Sequence, residues 1–262
     1  MQLSGAHVLV TGASRGIGAA VARHAADRGA TVTLVARTAE PLEILASTLK
    51  GRALPADLAD PAQRDGLVAR AEEAGGPVDV LVNVAGADGV GSTLSIEADT
   101  MEQLFQVNLL APAELCRQAL PGMVARGRGH VVNVSSGFST VVVPGLVSYS
   151  ASKAGLSHFT GGLRQELRGS GVGTTLVELG PVRTGMYDDI QHERLSGPAI
   201  ARVVKLQVAP SVDPTQVAEH IVQAVETGSR HVVLPRRLTP VLALTWLPRR
   251  VTQLMMTGLP AR

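Results

Sequence analysis

The stretch His7-Val8-Leu9-Val10-Thr11-Gly12-Ala13-Ser14-Arg15-Gly16-Ile17-Gly18 decides the fold. Val8 to Val10 are apolar without alternation, so His7 to Val10 reads as a strand buried on both faces. Gly16 to Arg28 then carries a helical pattern. Between the two stand three glycines at spacings of four and two. Gly12 permits a tight turn, Gly16 lets backbone approach a pyrophosphate, and Gly18 lets the helix pack close to the sheet. The helix start offers unpaired N–H groups and the positive end of a dipole. The turn therefore reads as a dinucleotide cradle, with Ser14, Arg15 and Ile17 among its contacts.

Outward from this unit the same alternation continues. Strands are expected at Thr31 to Ala36, Ala53 to Ala56, Val78 to Asn83, His130 to Ser135 and Gly173 to Glu178. Helices are expected at Pro41 to Lys50, Pro61 to Ala74, Thr100 to Ala125 and Tyr149 to Arg168. Apolar strands separated by helices indicate an α/β fold: one doubly wound parallel sheet with helices on both faces. The catalytic domain is placed at residues 1–228, with a substrate lid at about 184–210, since ligands of open parallel sheets bind beyond the carboxyl ends of strands. Residues 229–262 read as a basic, apolar C-terminal extension.

The chain has 262 residues, 45% of them hydrophobic, enough for a sizeable core and too apolar for disorder. A single cysteine, Cys116, excludes an intrachain disulfide and a cysteine-rich zinc site, and reads as a small buried hydrophobe. The seven histidines lack metal-ligand spacing, so no metal is expected. No basic segment precedes an apolar run at the N-terminus, and no run of about 18 apolar residues exists, so a cytoplasmic setting is expected. Six of the 24 Lys and Arg, and none of the 22 Asp and Glu, fall in 229–262, which leaves 18 basic against 22 acidic residues in the body. Aromatics are 2% of the chain, and nothing resembles a nucleic-acid module. The run from Leu238 to Pro248, with Trp246 and flanking arginine pairs, has the makings of a weak peripheral membrane contact, against the alternative of packing on the body or a neighbouring subunit.

Two constellations carry chemistry. The second strand ends in Ala36-Arg37, without the acid that would bind a ribose 2′-hydroxyl. Arg37 and Arg15 instead offer planar donor forks to a 2′-phosphate, so the cofactor is expected to be NADP(H). Tyr149 and Lys153 lie four apart on one helical face, in a chain with only two tyrosines and three lysines. A nearby ammonium favours phenolate and lowers a tyrosine pKa from about 10, making it an acid–base group. Ser136, thirteen residues earlier at a strand end, is placed to polarise a carbonyl.

With these residues in view, the chain resembles the short-chain dehydrogenase/reductase family over about residues 5 to 190, and so a Rossmann-type fold. The loop Thr11 to Gly18 matches in full, and Asn83-Val84-Ala85-Gly86 matches the family's Asn-Asn-Ala-Gly with Val84 as a departure. The resemblance implies a catalytic set of Asn108, Ser136, Tyr149 and Lys153, with Asn108 holding a water near the lysine. It implies adenine contacts at Asp57 and Leu58, and cofactor contacts at Asn83, Ala85 and Gly86. It places Gly180, Val182 and Thr184 at the nicotinamide, where Leu179 replaces the usual proline. Hydride would pass between nicotinamide and a carbonyl or secondary alcohol carbon, with Tyr149 handling the proton and Lys153 bonding the nicotinamide ribose. A homodimer or homotetramer is implied too, which makes Phe159 and Leu163 core or interface residues.

Around Ser136 the expected substrate contacts Phe138, Val143 and Leu146, beside Pro144, are apolar, and Met186 and Tyr187 sit in the lid. An apolar lining suits a lipophilic small-molecule ketone. The alternatives are a 3-oxoacyl-thioester reductase of lipid metabolism and a catalytically silent NADP(H)-binding sensor or scaffold.

Overall fold

Seven strands form one sheet in the order β3-β2-β1-β4-β5-β6-β7, every neighbouring pair parallel, in a computed structural model that describes residues 1–243. The strands are β1 (His7–Thr11), β2 (Thr31–Ala36), β3 (Arg52–Pro55), β4 (Val80–Asn83), β5 (Gly129–Ser136), β6 (Val172–Leu179) and β7 (His231–Leu234). The helices α1 (Gly16–Asp27), α2 (Ala39–Thr48), α3 (Pro61–Arg64), α4 (Leu67–Gly75), α5 (Ala98–Phe105) and α6 (Ala111–Ala125) connect the strands as far as β5. Then follow α7 (Val147–Glu166), α8 (Gly185–His192), α9 (Gly197–Lys205), α10 (Pro214–Thr227) and α11 (Thr239–Ala243).

Alternate strand residues feed two cores. Val8, Val10, Val32 and Leu34 pack with Val21 of α1 and Val217 and Ile221 of α10. Leu9, Val35, Leu81 and Val131 pack on the other face with Leu67 of α4 and Leu115 and Met123 of α6. Both faces are therefore covered, as the uniformly apolar strands require. The order reverses between β1 and β4, the switch point at whose carboxyl ends open parallel sheets bind their ligands. This is the Rossmann-type doubly wound sheet. Cys116 is fully buried, and His7 and His130 are buried with ring nitrogens bonded to Thr33 and Thr175, as small-hydrophobe and satisfied-core readings require.

The structure departs from the sequence expectation at four places. The helix at 61–74 breaks at Gly66, whose φ of +63° is left-handed, and Asp60 caps the first piece by accepting from the Ala62 amide. The long central helix starts at Ala98 and contains a widened π turn at Gln106–Leu110, which divides α5 from α6. Helix α10 is an unpredicted element, although Asp213 caps it, Pro214 opens it and left-handed Gly228 closes it. Finally, β7 pairs with β6 in register Leu176↔His231 to Leu179↔Leu234. The sheet thus runs past residue 228, and the boundary drawn there from charge is corrected, because charge marks surface and says nothing of edge pairing. Leu238 and Leu242 are buried with Ala209, so the start of the predicted tail packs on the body; the rest, including Trp246, lies outside the described residues.

A chain ended at residue 228 should therefore lose β7 and the His231 partner of buried Glu178. Thermal melting should become broad and fall by at least about 5 °C, the shift expected for a few kcal/mol in a domain this size.

Candidate active site

The phosphate turn is set by contact distance. A Cβ on Gly18 would stand 2.2 Å from the Gly12 carbonyl oxygen, so α1 can approach β1 this closely only with glycine there. A Cβ on Gly12 would stand 2.9 Å from Ala85, which packs the turn onto the loop after β4. The first turn of α1 has no acidic residue and no side-chain cap, so its amides remain available to an anion. Ser14 and Ile17 are half-buried in this turn, Arg15 is exposed, and Gly16 has φ +57°. Arg37 is exposed just beyond β2.

Thr11 was not singled out by the sequence, yet it joins the two loops. Its hydroxyl oxygen accepts from the amides of Val84 and Ala85, both at 3.1 Å. Asn83, expected at the cofactor, turns its side chain inward: Nδ2 donates to Asn133 Oδ1 at 2.8 Å, and Asn133 Nδ2 donates to Thr160 Oγ1. Its side chain braces the sheet. Asp57 Oδ1 accepts from the Ala59 amide, and the Asp57 amide donates to Gln63, so Asp57 and buried Leu58 sit in a locked turn after β3. Gly180 is held by its amide bond to the Leu234 carbonyl, and Val182 bridges to Val212. Thr184 donates to the Val182 carbonyl, so this segment is fixed without the proline that Leu179 replaces.

The structure brings together Asn108, Ser136, Tyr149 and Lys153 from three elements. Ser136 closes β5, where its hydroxyl accepts from the Phe138 amide and donates to the Leu179 carbonyl at 3.4 Å. Tyr149 and Lys153 share a face of α7, with Lys153 Nζ 6.0 Å from the Tyr149 ring centroid. Lys153 Nζ donates to the Val134 carbonyl at 3.1 Å. Asn108 lies in the π turn; its Nδ2 donates to the Ala87 carbonyl and to Ser152 Oγ, and its Oδ1 accepts from the Ala87 amide at 2.9 Å. A Cβ on Gly86 would lie 3.3 Å from Asn108 Oδ1, 3.5 Å from Lys153 Nζ and 3.7 Å from Met186. Glycine thus keeps open a space on which an ammonium, an amide oxygen and the Met186 side chain of α8 converge. Among the described residues Lys153 has one acceptor for three donors. That surplus, the open amides of α1 and the Gly86 space fit a bound dinucleotide.

Burial governs the ionisation. It pushes the Tyr149 phenol up to about 12, opposed by the Ser136 hydroxyl and reinforced by the Asp88 charge. It pushes Lys153 down to about 8. The expected lowering of the tyrosine by the lysine is therefore outweighed here: both groups are desolvated, and each is driven toward its neutral form. Asp88, also missed by the sequence, is raised by its own burial and by Asp189.

Of the expected substrate contacts, Val143 and Leu146 are 1% and 0% exposed and belong to a core cluster with Leu104, Tyr149 and Ile200. Phe138, Met186 and Tyr187 are partly buried against it. The segment expected to be a lid folds as α8 and α9, and a cleft of about 580 Å³ opens between Asp88, Val90, Asp188, Asp189, His192 and Glu193. Its rim is acidic, which the apolar reading of the pocket did not anticipate. No helix among the described residues is long and apolar enough to cross a membrane.

Comparison with known proteins agrees with this geometry. The family model for short chain dehydrogenase matches residues 6–195. The ketoacyl reductase HetN of Nostoc sp. is 37% identical over 238 residues, covering 88% of this chain and 79% of HetN. A metagenomic short-chain oxidoreductase solved in complex with NADP superposes with a TM-score of 0.73 at 31% identity, over 89% of this chain and 98% of that one. A short chain dehydrogenase/reductase from Burkholderia phymatum, solved with NAD, gives a TM-score of 0.84 at 23% identity over 99% and 98%, a likeness of fold.

The burial of Lys153 has a measurable consequence. Between pH 8 and 10.5 the unfolded chain keeps a proton on this lysine that the folded chain releases, so stability rises with pH across that window. Replacing Lys153 with Met should remove this rise, on the order of 3 kcal/mol at most, in denaturant titrations at a series of pH values.

Proposed function

This chain belongs to the short-chain dehydrogenase family, and on that footing we propose that it transfers a hydride between NADP(H) and a carbonyl or secondary alcohol of a lipophilic small molecule. The observation that carries the reading is the convergence of Asn108, Lys153 and Met186 on the space at Gly86, with the Tyr149 ring 6.0 Å from the Lys153 nitrogen and its hydroxyl bonded to Ser136.

The nicotinamide, when bound, supplies or accepts the hydride. The chain's own residues bind, orient and move the proton. The α1 amides and Gly12 to Gly18 hold the pyrophosphate, and Lys153 gives its free donors to the ribose. Gly180, Val182 and Thr184 flank the nicotinamide, and Asp57 and Leu58 the adenine. With substrate bound, the Ser136 hydroxyl turns its one proton from the Leu179 carbonyl, a long bond of 3.4 Å, to the substrate oxygen and orients it. Tyr149 is a neutral phenol at pH 7, which suits it to donate the proton as a ketone becomes an alkoxide. The Lys153 pKa of about 8 leaves this lysine able to exchange a proton near physiological pH. Asn108, bonded to Ala87 and Ser152, lines the route from Lys153 toward solvent. Arg37 and Arg15 support a 2′-phosphate, and no acid stands at the end of β2. Exposed Leu110, Val124 and Val147 support association of copies into a homodimer or homotetramer. A cytoplasmic location, with or without weak membrane contact through the tail, completes the reading.

The likeness to a ketoacyl reductase favours a second reading, reduction of 3-oxoacyl thioesters. The acidic rim at Asp88, Asp188 and Asp189 disfavours an anionic carrier and supports the first. A silent sensor would be expected to lack one of the four catalytic positions, and all four are present.

Oxidation of NADPH with a panel of ketones of rising chain length and 3-oxoacyl thioesters tests this directly. Turnover should rise with apolar chain length, and Tyr149→Phe should lower kcat by about 10²- to 10⁴-fold. NADPH binding without turnover on any member would refute the reading. Arg37→Asp should raise the KM for NADPH about ten- to a hundredfold while leaving that for NADH little changed; equal effects on both would contradict the 2′-phosphate assignment.

A further inference from the structure

Arg64, the last residue of α3, is 6% exposed. Among the described residues no carboxylate lies within ion-pair distance of it. Its Nη1 donates to the Leu58 carbonyl at 2.7 Å and to the Gln106 carbonyl at 3.4 Å, and its Nη2 donates to Gln106 Oε1 at 2.9 Å. Nε is buried without a partner. Its direct hydrogen-bond partners are all neutral oxygens, with the carboxylates of Asp60 and Glu114 acting only from beyond ion-pair distance, and a guanidinium taken out of water on such terms is costly. An apolar side chain would fill this place more cheaply, so the fold by itself does not call for arginine here.

What the guanidinium touches suggests why it is there. Gln106 opens the widened π turn, and its carbonyl already accepts from the Ala111 amide, five residues on. A π turn is less stable than the α-helical turn it replaces and persists where something holds it. Arg64 grips both the carbonyl and the side chain of Gln106, and anchors them to the turn after β3 through Leu58. Two residues further, fully buried Asn108 makes its reciprocal bonds with Ala87 and reaches Ser152. An α-helical register through 106–110 would rotate Asn108 away from both, since one residue of helix is about 100° of turn.

We propose that Arg64 is a positioning residue for Asn108: it holds the widened turn in the register that keeps Asn108 against Ala87, and braces the same turn against Asp57–Leu58. This rests on the reading of Asn108 as part of the proton route. Arg64 touches none of the reacting groups; it acts through Gln106.

The test uses the full chain with Arg64→Met and Gln106→Ala; Arg64→Lys guards against a misfolded Met variant, since it keeps the charge but loses the fork. Hydrogen exchange of the Ala87 amide and of residues 106–111 should quicken at least about tenfold in the variants, while exchange in β1 and β5 stays unchanged. With ketone and NADPH, kcat should fall about tenfold with KM within about twofold, and Arg64→Met should cost nothing further in an Asn108→Ala background. Unchanged exchange at Ala87 and 106–111 would overturn the proposal, as would a kcat loss that persists in full in Asn108→Ala. If no ketone is turned over, the proposed function fails, and the exchange measurement alone decides the role of Arg64.

Discussion

The site is organised around a buried lysine amine that the protein satisfies only in part. Lys153 is 4% exposed, and its ammonium bonds the Val134 carbonyl. A charge in that position is tolerated only where fixed dipoles and a partner compensate it. The compensation present is the Val134 carbonyl at the end of β5, and the ammonium's two remaining donors face the Gly86 space that Asn108 Oδ1 also borders, where a bound group can accept them. Much of the surrounding architecture secures this arrangement. Gly18 brings α1 down onto β1, Thr11 ties β1 to the loop after β4, and the π turn sets Asn108.

The same desolvation shapes the acid–base chemistry. It raises Tyr149 and lowers Lys153 to about 8, so at neutral pH the phenol keeps its proton and the lysine is still mostly an ammonium, though far easier to deprotonate than a solvated one. A solvated pair on a surface helix would have neither property. Asp88 both acts on the Tyr149 phenol through its charge and lines the acidic cleft beside α8.

The sequence carries most of this because its strongest signals are steric. Gly12 and Gly18 are legible since a Cβ would clash with Ala85 and with the Gly12 carbonyl, Gly16 since its backbone is left-handed, and the apolar strands since both their faces are covered. Tyr149 and Lys153 follow from helical spacing. What escaped is set by tertiary contact. Asn83 carries a cofactor motif, yet its side chain answers to Asn133 on the neighbouring strand. Val143 and Leu146 are apolar and near Ser136, yet they complete a core. The π turn has no pattern of its own, being held in part by Arg64, forty-two residues earlier. The edge strand β7 is four residues long and half-exposed, too short for its period to show. Its neighbour α10 did carry readable caps in Asp213, Pro214 and Gly228.

The central claim is hydride transfer to a carbonyl carbon at the Ser136–Tyr149–Lys153 site. Reduction of a lipophilic ketone with NADPH deuterated at the transferring position of the nicotinamide, followed by mass spectrometry of the alcohol, tests it most directly. Hydride transfer at this site puts one deuterium on the carbinol carbon and none on its neighbours. Alcohol carrying hydrogen from solvent at that carbon would contradict it.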